Sequence, residues 1–566
     1  MSGSRLKQQF LKLYHQYQGQ DADVTVSDLV DVFSCTRRNV RMVMSKLSEE
    51  GWIQWSPAVG RGKLSRLQFV VSEDDLAKAD VDDLLRNGQF DKALSVLGND
   101  RQRLVEALRD HLGYARNEGR QILRLPYYRA INPLHPRRPM RRSEQHLARQ
   151  IYNGLVRYCE TQQAVVADLA HHWKMISPRH WRFFLRPAVR FHNGQLVSAE
   201  DYLVTLRQLQ TFPLFSHIER VEWPQENIVD IHLSADDRQL VEQLVAIEAV
   251  IQPAAIVTQV EAFVPIGTGP YRIEQADQQQ LKLQAFDHYF GYRALVDEIE
   301  IWVLPDLEDC GALLPQVNAP ESEASRPDQV ATRLDEGCSY LLINQNSPVG
   351  QDEQWREYFT SRFDPVVLHY LMQDLRKDNM HMIPAYGFLP GWKQNVPRRR
   401  KVALPATKHP LVLGYVQSHP AFFEIAYLMA DLLKQDGIEC QMVGIDYEAF
   451  HSDAHIQADL WLSGVNLVSR QTNMLVNWLF QHHHIVRALT KEAQVDAFEQ
   501  IDRWRSGLSD ECPAQNTIAS LIGKGQLLPL FHSWAGIRPT PDLRDVQTNS
   551  MGWFDFTQVW VDPDIS

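Results

Sequence analysis

The sequence predicts a multi-domain fold: a small α+β helix-turn-helix module with a β-hairpin, followed by a larger α/β region. Three observations predict it. At 566 residues the chain is too long for one hydrophobic core. Apolar residues at helical spacing give way, after Gly51, to two strand-like segments rich in aromatic and branched side chains. Beyond residue 120, strands and helices alternate between proline-bounded loops, the pattern of an α/β domain.

Leu6, Phe10, Leu13 and Tyr17 recur at helical spacing and predict a first amphipathic helix ending near Gly19. Thr25 and Asp28 then form a capping-box pattern ahead of Val26, Leu29, Val30 and Phe33, a second short helix. After a Ser34-Cys35 turn, Thr36 is placed as the N-cap of a third helix with apolar positions Val40, Val43, Met44 and Leu47. Helix, tight turn, helix occupies about 26–49.

On the polar side of that third helix Arg37, Arg41 and Ser45 step by four, with Arg38 adjacent. A recognition helix presents its N-terminal residues to the DNA major groove, where arginine pairs with guanine or grips phosphate. The plain alternative is a solvated helix face, and the segment after Gly51 decides between the two. Trp52-Ile53-Gln54-Trp55 and Leu67-Gln68-Phe69-Val70 read as strands, joined by "VGRGKLSR", residues 59–66. As a phosphate-cradling loop this stretch fails, because one residue separates its glycines and Leu64, not a hydroxyl, follows Lys63. As a hairpin tip it succeeds: the glycines permit positive φ, and Arg61, Lys63 and Arg66 project toward a DNA backbone. A helix-turn-helix with a basic hairpin, the wing, over about 52–70 is a winged helix, so residues 1–71 are expected to bind double-stranded promoter DNA.

Charge agrees with this reading. The chain carries a formal net charge of -12, so nucleic-acid binding must come from a local patch. Between residues 36 and 70, Arg37, Arg38, Arg41, Lys46, Arg61, Lys63 and Arg66 stand against Glu49 and Glu50 alone, seven minus two, or +5. Such an excess supplies sequence-independent affinity by counterion release.

Residues 72–119 read as a helical extension, with Leu84, Leu85, Leu94, Leu97, Leu104 and Leu108 as its apolar points. Next come a strand, Gln121–Leu125, and a proline- and arginine-rich segment. In the segments "NPLHPRRPMRRSEQHLARQIYNGLVRY", "VADLAHHWKMISPRHWRFFLRPAVRFHNGQLVSAEDYLVTLRQL", "PIGTGPYRI" and "LVLGYVQSHPAFFEIAYLMADLLKQDGIECQMVGIDYEAF" the chain resembles the extracellular solute-binding proteins of the oligopeptide and nickel transport class. The resemblance is strongest over about 120–500. It implies a two-lobed α/β, periplasmic-binding-protein-like domain over 120–566 that closes on a small molecule. The motifs themselves read as structural: Ser198 caps a helix whose positive end suits Glu200 and Asp201, and Gly267, Gly269 and Pro270 shape a bend. No ligand-binding residue is assigned from them.

With a winged helix where a secretion signal would stand, the whole chain is similar to the SgrR family of bacterial transcriptional regulators. That resemblance implies activation of a small-RNA gene under glucose-phosphate stress, repression of the regulator's own gene, a phosphorylated sugar as ligand and RNA polymerase as a further partner. The other reading is a solute-binding component of a peptide- or nickel-type transporter with an unusual N-terminus.

No cofactor, metal or catalytic residue is expected. Cys35, Cys159, Cys310, Cys338, Cys440 and Cys512 are scattered singly and read as reduced thiols. His482-His483-His484 lacks the spacing of paired ligands and is placed in an exposed loop. His171-His172 is placed at a helix end, Arg398-Arg399-Arg400-Lys401 in an exposed interlobe segment, and no G-x-S-x-G or H-E-x-x-H occurs. The N-terminus lacks an apolar signal core, and Glu242, Glu248 and Pro253 break the apolar run 240–257. A cytoplasmic protein with no membrane partner is expected.

Overall fold

The computed structural model describes residues 2–562 apart from 59–62, 87–88, 99, 110, 118, 258–263, 305–330, 376–381, 393–401, 406–408, 420, 452–456, 468–471, 482, 511 and 538–542. It divides into two compact units, one ending at Leu112 and the other starting at Gly113.

The first unit opens with α1 (Ser2–Tyr17), β1 (Ala22–Val24), α2 (Val26–Phe33) and α3 (Arg37–Glu49). At Gly19, φ is +69°, the left-handed region that glycine enters without strain, which is how the chain leaves α1 here. The capping box at Thr25 forms as expected, and Ser34 takes a left-handed conformation between α2 and α3. The Ser34 and Cys35 N–H groups donate to the carbonyls of Asp31 and Val30, which ends α2 and fixes the direction in which α3 departs. The hairpin is β2 (Ile53–Ser56) against β3 (Ser65–Phe69), with Trp55 opposite Leu67 and Ser56 opposite Arg66. Strand β1, too short to show in the sequence pattern, pairs with β3 and makes a three-stranded sheet of order β1-β3-β2. Phe10, Leu13, Leu29, Val40, Met44, Leu47 and Leu67 share its buried core.

Helices α4 (Glu73–Arg86), α5 (Phe90–Val96) and α6 (Arg101–Arg109) complete this unit. Leu76 of α4 belongs to the winged-helix core, and Lys7 of α1 donates to the Leu76 carbonyl at 3.2 Å and pairs with Asp80. The stretch expected to be helical over 72–119 is therefore docked on the helix-turn-helix at its start, and its helices end at Arg109. Residues Gly113–Asn117 are a strand, β4, paired antiparallel to β5 (Arg120–Tyr127) in the second unit.

In the second unit a five-stranded sheet has the order β12-β13-β14-β5-β4, with β12 at Tyr271–Ala276, β13 at Gln280–Ala285 and β14 at Glu298–Val303. It packs against α7 (Arg142–Ile151). Between them in sequence lie the pair β6 (Val156–Cys159) and β7 (Ala164–Ala167), and a four-stranded antiparallel sheet. That sheet has the order β10-β11-β9-β8: β8 is Ala170–Ser177, β9 His180–Leu185, β10 Ile218–Gln225 and β11 Ile228–Leu233. His171 and His172 thus sit inside a strand and not at a helix end. β8 is an edge strand with little buried on either face, which removes the alternation that would have revealed it.

The other half of this unit is a seven-stranded sheet of order β15-β21-β16-β20-β18-β19, with β17 paired to β21. Its first strand in sequence is β15 (Ala331–Leu334), followed by β16 (Gly337–Ile343), β17 (Met382–Pro384), β18 (Leu411–Val416), β19 (Cys440–Ile445), β20 (Leu460–Asn466) and β21 (Leu527–Ile537). Helix α8 (Ala199–Gln208) starts at Ser198 with the expected cap, completed by Asp201. His483 begins a helical turn, His483–Ala488, and does not lie in a loop; His482 and Arg398–Lys401 lie outside the described residues.

Candidate nucleic-acid interface and ligand cleft

The buried positions Val40, Val43, Met44 and Leu47 fix the rotation of α3. At about 100° per residue, the opposite side is centred on Arg38, Met42, Ser45 and Glu49, with Arg41 at its shoulder. All five are exposed. The Ser45 hydroxyl donates to Glu49 Oε1 at 2.8 Å. Arg37 is also exposed but lies at the edge of this face, where its guanidinium donates to the Ser27 hydroxyl of α2 at 3.3 Å. Met42, 55% exposed, went unnoticed in the sequence because an apolar residue out of phase with the core stripe carries no periodic signal. A thioether at this position offers a surface to a thymine methyl group.

Lys63 is exposed just ahead of β3, and Arg61 lies outside the described residues. Arg66 is exposed and already accompanied: its guanidinium lies 3.7 Å from Asp21 and 3.5 Å from Asp23. Asp23 is its direct cross-strand neighbour on β1. The basic excess counted over 36–70 therefore faces two carboxylates brought in from outside that window.

Within the second unit, arginines from the proline-rich segment reach residues that border strands of the seven-stranded sheet. Arg129 donates to the Tyr127 hydroxyl at 3.1 Å and to the Ser418 carbonyl at 3.0 Å, and its guanidinium lies 4.9 Å from the Tyr128 ring centre. Burial pushes the Tyr128 phenol up to about 12. Arg142 reaches Asp335 at 2.6 Å, and the Tyr447 hydroxyl donates to the Met140 carbonyl at 3.1 Å. Glu144, fully buried, accepts from Arg141 Nε at 2.8 Å and from the Asn132 N–H at 3.2 Å. Beside these contacts a cavity of about 150 Å³ is lined by Arg137, Arg138, Met140, Gln145, Phe212, Tyr447 and His451, among others. None of these was singled out in the sequence; the density of arginine in "HPRRPMRR" within an acidic chain was the available signal.

Two family models match separate parts of the chain. A family model described as "Sugar transport-related sRNA regulator N-term" matches residues 5–119, and one described as "Bacterial extracellular solute-binding proteins, family 5 Middle" matches 164–356. The chain is 36% identical over 564 residues to the HTH-type transcriptional regulator SgrR of Pectobacterium atrosepticum, covering 100% of both chains. It is equally similar to the protein of that name from Escherichia coli K12. Among solved structures it is similar to the oligopeptide-binding protein AppA of Bacillus subtilis, in complex with a nonapeptide, with a TM-score of 0.64 at 17% identity over 78% of this chain and 99% of that one. The Escherichia coli murein tripeptide binding protein MppA gives 0.62 at 15% identity, over 78% and 98%.

Proposed function

The chain belongs to the SgrR family of HTH-type transcriptional regulators, and from that premise we propose that Arg38, Arg41, Met42 and Ser45 read base edges in the major groove while Arg37, Arg61, Lys63 and Arg66 hold phosphates. The observation that carries this reading is the rotation of α3: with Val40, Val43, Met44 and Leu47 buried, the face left outward is the one with two arginines and a methionine. The larger unit is a solute-binding fold used for sensing. The cleft of Arg129, Arg142, Asp335 and Tyr447 is where a small solute binds, a phosphorylated sugar being the candidate that its arginines favour. Output is activation of a small-RNA promoter and repression of the regulator's own gene, exerted in the cytoplasm with RNA polymerase as the further partner and without catalysis. No helix among the described residues is long and apolar enough to cross a membrane.

A salt titration of operator and random-sequence DNA tests the assignment. Arg41→Ala should weaken the operator more than random DNA. Lys63→Ala should weaken both alike and lower the salt slope by about one unit. Unchanged affinity in both variants removes the interface.

A further inference from the structure

The sheet β10-β11-β9-β8 turns Trp181, Phe183, Val221, Val229 and Ile231 into the core. Its other face carries an unusual set of side chains. The register sets His180 directly opposite His232, Arg182 opposite Asp230, and Asp230 opposite Glu222. The two imidazoles stack, with ring centres 4.2 Å apart and planes 21° from parallel. His180 Nε2 lies 3.2 Å from Asp230 Oδ2, and His232 Nε2 lies 3.1 Å from Glu222 Oε2. Both nitrogens are buried, and each faces a carboxylate. Donor atoms of His180, Asp230 and His232 all fall within 4.8 Å of one another.

Without an ion, two neutral rings with their hydrogens on Nε2 donate to Asp230 and to Glu222. With the hydrogens on Nδ1, both Nε2 lone pairs and an Asp230 oxygen stand within 4.8 Å of one another, an arrangement that a cation completes. We propose that His180 Nε2, His232 Nε2 and Asp230 Oδ2 form a site for one divalent transition-metal ion of the zinc or nickel class. Two imidazoles and one carboxylate are the donor set such ions take, leaving a position for water or for Glu222, whereas magnesium and calcium require oxygen ligands throughout. Arg182, whose Nε and Nη2 hold both Asp230 oxygens at 2.8 and 2.7 Å, fixes the carboxylate as an outer-shell partner. Arg220, 3.2 Å from Glu222 Oε1, does the same for the carboxylate facing His232. The ion would tie β9 to β11 on the outward face of this sheet, using none of the residues assigned above to DNA or to the cleft.

The test uses the full chain, stripped with a chelator and then titrated in parallel with Zn²⁺, Ni²⁺ and Mg²⁺. The expected result is saturable uptake of one Zn²⁺ or Ni²⁺ that raises the melting temperature, with no effect of Mg²⁺. His232→Gln should weaken that uptake by at least about tenfold, while replacing His483 and His484 with glutamine should leave it intact. Absence of zinc uptake by the unaltered chain, uptake unchanged by His232→Gln, or loss of the uptake only in the His483 and His484 variant overturns the proposal.

Discussion

His192 shows how one proton is tied to this fold. The Gly267 N–H donates to its Nδ1 at 3.3 Å, so Nε2 must carry the hydrogen, and it donates to the Gly269 carbonyl at 3.0 Å. Burial lowers this imidazole from 6.5 to about 4, and lowers His146 to about 3. The unfolded chain takes up these protons near pH 6.5 and the folded chain does not, so stability is full above that pH and falls as pH drops toward 4. Melting temperature followed between about pH 7 and 4 should decline, and His192→Asn should flatten part of the decline; an unchanged profile would contradict the lowered titration of His192. Glu144→Gln is expected to leave the buried Arg141 guanidinium without its counter-charge, at about 3 to 5 kcal/mol by chemical denaturation. The sequence disclosed the turn and cap around these residues but not their partners. A hydrogen bond from His192 to a glycine 77 positions away leaves no local pattern.

Elements were legible where one side is buried and the other is not. The core stripe of α3 and the alternation of β2 and β3 could be read directly, and with them the winged helix. Strand β1 has only three residues, β8 has almost nothing to bury, and β4 ends a stretch whose helices set the local tone. Leu76 and Lys7 join α4 to the winged helix through contacts nearly seventy positions apart, which composition cannot show. Thr36 accepts from the Asn39 N–H at the start of α3. Thr36→Ala should therefore cost about 1 kcal/mol and loosen the same turn that carries Arg37 and Arg38. Hydrogen exchange across residues 37–40 checks this, and unchanged protection there would mean the cap contributes nothing.

Across the whole molecule, a sensor and a DNA reader in one chain are useful only if binding at one changes binding at the other. Thermodynamics then requires the effect to be mutual, typically about 1 to 3 kcal/mol. Operator DNA should shift the affinity for a glucose-phosphate probe by the factor that the probe shifts operator affinity, and a ratio of one in calorimetry would rule out coupling through DNA affinity. The carboxylates of Asp21 and Asp23 beside Arg66 bear on a different problem, the search for one promoter among a genome of wrong sites. They are rivals that travel with the protein, and any stretch of duplex must outcompete them before the wing arginine changes hands. A phosphate contact is made on random DNA and on an operator alike, so both bear that competition equally. Asp23→Asn should consequently tighten binding to random sequence and to the operator by the same factor in a salt titration, giving a regulator that grips DNA harder and tells its promoter apart no better; unchanged affinity for both would mean that Arg66 meets no phosphate.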